Sequence, residues 1–100
     1  MHRVWRDATQ RTMLAGMKKQ PAKLSAREVF ARNLRRARRM RETTQEGLSL
    51  EAGVSRPYVG SLERGATNVS IDNMGRLADA LRVPLRDLVD PDKFTDLDEA

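Results

Sequence analysis

Residues 44–65 read TQEGLSLEAGVSRPYVGSLERG and predict two short helices joined by a tight turn. Thr44 and Ser55 are suited to begin the two helices, because a side-chain hydroxyl can accept a hydrogen bond from a free backbone N–H in the first helical turn. Gly53 separates the helices, since glycine adopts the positive φ of a turn without steric cost. The apolar side chains expected to hold the two helices together are Leu48, Val54, Val59 and Leu62.

Upstream of this stretch the sequence predicts one longer helix. Ser25 and Glu28 have the spacing of a capping box, and apolar residues recur at helical intervals from Ala26 to Ala37. This helix is expected to end near Arg41. Arg38 lies four residues after Leu34 and therefore on the apolar face, where an unpaired charge is costly. It needs an acidic partner.

Downstream, two further helices are expected. Ser70 precedes an apolar stripe that runs from Ile71 to Leu81, and Val83-Pro84 ends that helix. Leu85, Leu88 and Val89 fit one last short helix. Five helices without a strand candidate predict an all-α fold.

The composition excludes several classes of function. Of the 100 residues, 39% are hydrophobic and 33% are charged, which suits one modest core. The chain has no cysteine and its one histidine is His2, so disulfides, thiolate nucleophiles, histidine bases and a metal site have no support. No nucleophile–base set or phosphate-binding glycine loop is present either. We therefore expect no enzyme activity, no cofactor and no metal. Without an apolar run near the ~20 residues of a membrane span, we expect an intracellular, cytoplasmic protein with no membrane contact.

Charge divides the chain into two unequal parts. Residues 1–41 hold 13 Lys and Arg against two acidic residues, a formal charge of +11, whereas residues 42–100 hold six against 12, a charge of −6. This predicts a flexible basic arm over 1–24, a folded domain over 25–89 and an acidic tail over 90–100. A weak membrane-surface helix anchored by Trp5 is an alternative for the arm. The asymmetry suggests a polyanionic partner.

A series of motifs runs in order through residues 44–84: Thr44-Gln45-Glu46, Ala52-Gly53-Val54-Ser55, Leu62-Glu63-Arg64-Gly65, Ser70-Ile71-Asp72 and Leu77-Ala78-Asp79-Ala80-Leu81-Arg82-Val83-Pro84. Together they resemble the Cro/repressor-type helix-turn-helix family, also called the xenobiotic-response-element family, over residues 28–89. The resemblance implies a five-helix, lambda-repressor-like DNA-binding domain of bacterial or phage origin. One departure is Glu42-Thr43, which stands where the family commonly has a glycine and an apolar residue.

The resemblance also implies which residues meet double-stranded DNA. The third helix would lie in the major groove and offer the base contacts Arg56, Pro57, Gly60 and Ser61. Phosphate contacts would come from Gln45, Arg64, Thr67 and Asn68. The family's structural ion pair would join Arg38 to Glu63, which supplies the missing acidic partner. Plainer interpretations stay open: a solvated surface role for Arg56, and a helix-start role for Gln45.

These inferences predict a sequence-specific transcriptional regulator. One recognition helix reads only a few base pairs, so we expect a homodimer on a near-palindromic operator, with Leu85, Leu88 and Val89 as candidates for its interface. The basic arm would follow phosphates or enter the minor groove. The alternative is an antitoxin or anti-regulator whose acidic tail, which carries Phe94 and Leu97, binds a protein partner.

Overall fold

A computed structural model describes residues 23–95, and within that range the chain forms five α-helices and no strand. The helices are α1 (Ala26–Met40), α2 (Gln45–Ala52), α3 (Arg56–Glu63), α4 (Ile71–Leu81) and α5 (Leu85–Val89). The predicted all-α, five-helix architecture is confirmed. None of the helices in this part of the chain is long and apolar enough to cross a membrane.

Hydroxyl side chains begin the first four helices, as the sequence predicts. Each accepts a hydrogen bond from a backbone N–H three residues later, at donor–acceptor distances between 2.9 and 3.3 Å. The residues are Ser25, Thr44, Ser55 and Ser70. Ser25 forms a complete capping box, since its own N–H donates to Glu28 Oε1 at 2.8 Å. Such caps typically stabilise a helix by about 1 kcal/mol each.

Every helix contributes one fully enclosed leucine to a single core. These residues are Leu34, Leu48, Leu62, Leu77 and Leu88. Val59 is equally buried, and Phe30 adds the aromatic ring of α1. Because burying one such side chain stabilises a fold by roughly 1.5–3 kcal/mol, this cluster is the main reason that five short helices hold together.

The α1–α2 junction keeps a left-handed residue although the expected glycine is absent. Glu42 has a φ of 57° and its N–H donates to the Arg39 carbonyl at 2.9 Å, while the Thr43 N–H donates to the Arg38 carbonyl at 3.2 Å. The backbone turn therefore survives the replacement. Glutamate adopts this positive φ less readily than glycine, so Glu42 makes the turn less stable than a glycine would.

Residues 90–94, which we call the C-terminal strap, pack against α1. Phe94 is buried in the core at 9% exposure, and its carbonyl accepts a hydrogen bond from Arg36 Nη1 at 2.7 Å. Arg32 Nη2 donates to the Pro91 carbonyl at 2.8 Å. The fully enclosed Asn33 donates through Nδ2 to the carbonyls of Asp87 and Asp90 at 3.1 and 2.8 Å.

The strap corrects the expectation that the packed domain ends at residue 89. The sequence placed an acidic tail from residue 90 onwards, but the core extends to Phe94. Of the predicted N-terminal arm, residues 1–22 lie outside the described residues, as does Leu97 of the predicted tail.

Candidate nucleic-acid interface

The turn between α2 and α3 fixes the orientation of α3. Gly53 has a φ of 75°, and its N–H and that of Val54 both donate to the Ser49 carbonyl, at 2.9 and 3.1 Å. Ser49 itself is buried at 4% exposure, which allows α2 and α3 to approach closely at this point. Val59 of α3 is enclosed by the core. α3 therefore packs one face against the core and leaves the other face outside.

The outer face of α3 carries three of the four predicted base-contact residues in accessible positions. Arg56 and Pro57 are exposed in its first turn, and Ser61 is partly exposed one turn later. On the opposite face, Val59 and Leu62 are buried. The burial of Val59 and Leu62 agrees with the inner face that their spacing predicts.

Gly60 differs from the expectation. The sequence predicted a close approach of its bare backbone to the bases, but Gly60 is buried. A Cβ atom at this position would lie 3.4 Å from Arg64 Nη1 and 3.7 Å from Gln45 Oε1. These two side chains cover the glycine, so the groups offered to solvent at this point are a guanidinium and a carboxamide.

Arg38 and Glu63 form the ion pair expected between α1 and α3. Arg38 Nε donates to Glu63 Oε2 at 2.6 Å and Nη2 donates to Oε1 at 2.9 Å, a bidentate arrangement. The side chains are 13% and 3% exposed, respectively. The hydrogen bond to Glu63 raises the pKa of Arg38, the charge of Glu63 adds to that effect, and burial opposes it. The guanidinium is held as a cation beside its counter-charge.

The same carboxylate positions Gln45 at the start of α2. Gln45 Nε2 donates to Glu63 Oε1 at 3.0 Å, so one of its two amide hydrogens is used inside the protein. The second amide hydrogen makes no hydrogen bond within residues 23–95. Gln45 is therefore both a structural ligand of Glu63 and a candidate donor to an anion.

The loop after α3 carries the other two candidate phosphate contacts. Thr67 is partly exposed and Asn68 is exposed. Asn68 Oδ1 accepts a hydrogen bond from Arg27 Nη2, which links the loop to the first turn of α1. Arg35 Nη1 donates to the Glu63 carbonyl at 2.6 Å and so holds the carboxyl end of α3.

Sequence reasoning missed Arg27 and Arg35 as parts of this surface. Both lie on α1, and their partners are 41 and 28 residues away in the sequence. The spacing of residues along the sequence does not predict contacts between positions so far apart. Of the predicted residues, the structure brings Gln45 and Arg64 together over Gly60 and joins Asn68 to Arg27, and these cationic and amide donors suit a polyanion.

Residues 23–95 contain no group of three His, Cys, Asp or Glu side chains arranged to hold a metal ion.

Comparisons with known proteins agree with this geometry. A family model described as helix-turn-helix matches residues 34–88. The chain is 37% identical over 65 residues to the control protein C.BamHI of Bacillus amyloliquefaciens, covering 64% of this chain and 80% of that protein.

Two solved structures show the same likeness in three dimensions. The restriction-modification controller protein C.AhdI from Aeromonas hydrophila superposes with a TM-score of 0.61 at 40% identity, covering 62% of this chain and 94% of that one. The clp gene regulator ClgR from Corynebacterium glutamicum gives a TM-score of 0.65 at 28% identity, with coverages of 69% and 90%.

Proposed function

The chain belongs to the helix-turn-helix family of DNA-binding transcriptional regulators, and from this we propose that it recognises one specific operator in double-stranded DNA. The observation that carries the proposal is the accessible outer face of α3, on which Arg56 stands in the first turn. Its action would lie in the cytoplasm, at the nucleoid.

Arg56 is the principal base reader in this proposal. Its guanidinium can donate two parallel hydrogen bonds to O6 and N7 of a guanine in the major groove, worth about 1–3 kcal/mol of discrimination. Pro57 would make apolar contacts and Ser61 a hydrogen bond to a base or phosphate.

Phosphate contacts would fix the register of α3 and supply most of the affinity. The candidates are Gln45, whose second amide hydrogen is free to donate, and Thr67 and Asn68 in the loop after α3. The bond from Arg27 to Asn68 adds a positive charge to that loop and supports this role.

A homodimer on a near-palindromic operator follows from the small number of base pairs that one helix reads. Of the three interface candidates on α5, Leu88 is fully enclosed in the core and is withdrawn. Val89 is 49% exposed and remains available, with the partly buried Leu85 beside it in sequence. Sedimentation of the free protein and of its operator complex tests this; a single copy in both states would contradict it.

The argument for the alternative function, in which the acidic tail binds a protein partner, is weakened by the position of Phe94. Phe94 was one of two apolar residues expected to meet that partner, and it is buried in the protein's own core.

The experiment that tests the proposed function is selection of bound sequences from a random duplex library. The full chain is compared with Arg56→Ala, which removes an exposed side chain from the first turn of α3. An enriched inverted repeat, with relaxed preference at one base pair per half-site in the variant, is the expected result. Salt-sensitive binding without any enriched sequence would contradict sequence-specific recognition.

The basic arm is tested separately by deleting residues 1–22. If the arm contacts phosphates, the deletion lowers affinity and flattens the dependence of log K on log salt by about 0.9 per lost contact. An unchanged slope would contradict its role.

A further inference from the structure

Arg64 lies at the carboxyl end of α3, yet its charged group is found one turn back along the helix. Its Nη1 atom is 3.4 Å from where a Cβ atom of residue 60 would stand. Side chains on a helix lean toward its N-terminus, so an arginine at one position covers the surface of the residue four places earlier. Because residue 60 is glycine, it has no side chain of its own between its backbone and the Arg64 guanidinium.

This places the guanidinium in line with the residue proposed to read a base. Arg56, Gly60 and Arg64 are spaced four residues apart and share one stripe of α3. The side chain of Arg56 leans toward the N-terminus in the same way, so the two guanidinium groups keep the separation of eight residues, about 12 Å along the helix at about 1.5 Å per residue. Successive base pairs are about 3.4 Å apart, so the two groups would meet different base pairs.

The donors of Arg64 are not used inside the described part of the protein. Arg64 is exposed, and within residues 23–95 its guanidinium has no hydrogen-bond or ion-pair partner. By contrast, the arginines of α1 that lie nearest to α3, Arg35 and Arg38, donate to Glu63.

Gln45 adds an acceptor beside these donors. Glu63 holds the amide nitrogen of Gln45, and Gln45 Oε1 is 3.7 Å from the Cβ position of residue 60. Phosphate oxygens only accept hydrogen bonds, whereas the edge of a base pair in the major groove presents donors and acceptors side by side. The guanidinium of Arg64 and the carboxamide oxygen of Gln45 therefore place a donor and an acceptor over Gly60, as a base-pair edge requires, while the second amide hydrogen of Gln45 stays available to a phosphate.

We propose that Arg64 is a second base reader, directed into the major groove across the bare backbone of Gly60, at a different base pair from the one read by Arg56. The proposal rests on the proposed DNA-binding function and changes the role of Arg64 from the phosphate contact that family resemblance implies. Gly60 is then the residue that makes room for this reader.

The test compares Arg64→Ala with the full chain in library selection and in affinity measurements over a salt series. Arg76→Ala is the matched control, because it removes an exposed arginine from α4. We expect Arg64→Ala to lose preference at one base pair per half-site by roughly 5- to 150-fold, the range of a bidentate base contact. That base pair should differ from the one relaxed by Arg56→Ala.

Gly60→Ala provides an independent variant that leaves every charge in place. Its methyl group would stand 3.4 Å from Arg64 Nη1, so the helix should tolerate it and the Arg64 guanidinium would shift by a few tenths of an ångström at most. We expect a smaller change of preference at the same base pair as in Arg64→Ala, and no further change when the two substitutions are combined.

Two results would overturn the proposal. Arg64→Ala could weaken binding to all sequences by one factor, with a salt slope reduced by about 0.9 per half-site, which is the behaviour of a phosphate contact. Gly60→Ala could have the same effect with and without Arg64, which would mean that the methyl group itself meets DNA. If the unaltered chain enriches no sequence at all, it is the proposed function that fails.

Discussion

Replacing Glu63 with glutamine removes one charge while keeping the size and shape of the side chain. The carboxylate accepts hydrogen bonds from Arg38 Nε and Nη2 and from Gln45 Nε2, at 2.6, 2.9 and 3.0 Å. A carboxamide has only one oxygen, so its NH₂ group would face at least one of these donors. The Arg38 cation would also lose its counter-charge.

The expected loss can be estimated from the burial of the pair. Removing one partner of a fully buried ion pair costs about 3–5 kcal/mol. Arg38 retains 13% exposure, and glutamine still accepts one hydrogen bond, so we expect a loss of about 2–3 kcal/mol. For a domain of this size that corresponds to a melting temperature roughly 10–20 °C lower.

Thermal and urea unfolding, followed by circular dichroism, measure this effect. The matched control is Glu51→Gln, because Glu51 is 48% exposed and its nearest oxygen is 3.8 Å from Arg41 Nη2. That substitution should change the unfolding free energy by less than about 0.5 kcal/mol. Equal melting temperatures for the unaltered chain and Glu63→Gln would refute the assignment of this ion pair as a stabilising contact.

Three further predictions concern unfolding free energies measured in urea. Glu42→Gly should stabilise the fold by about 1 kcal/mol, because residue 42 has a positive φ that glycine adopts more readily than glutamate. Gly53→Ala should destabilise it by about 1 kcal/mol for the same reason, and effects of the opposite sign would contradict the positive φ at these residues. Asn33→Ala should cost about 2–3 kcal/mol, since two carbonyls lose their donor, and a neutral result would mean that water replaces it. Phe94→Ala should cost about 3 kcal/mol, whereas an unchanged midpoint would show that the strap does not contribute to the core.

The helices and the exposed face of α3 could be predicted because their signals are local. A hydroxyl at the helix start and apolar residues at helical intervals act within a few residues of one another. Ser55 and Gly53 illustrate this, since the cap and the turn they predict are both present. The partner of Arg38 could be named only because the family resemblance supplied a contact 25 residues away.

What the sequence did not predict depends on distant contacts. The strap is acidic and contains a proline, which is typical of an exposed tail. It is ordered by the hydrogen-bond donors of α1 and by a pocket that α1 forms with the end of α4. Asn33 is a polar residue whose burial is favourable solely because carbonyls 54 and 57 residues later accept its hydrogens. The position of the Arg64 guanidinium over Gly60 could likewise not be predicted, because residue spacing does not give the direction of a side chain.

The bonds between Asn33 and the carbonyls of Asp87 and Asp90 bear on how the protein folds during synthesis. A ribosome makes α1 first and adds about 5–20 residues per second, so the acceptors of Asn33 are synthesised roughly 3–11 s after the donor. Throughout that interval, α1 has a polar group on its inner face without its final partners. The nascent chain therefore reaches its native packing only when translation has passed the strap, and a ribosome stalled before residue 87 would leave α3 on an incomplete scaffold.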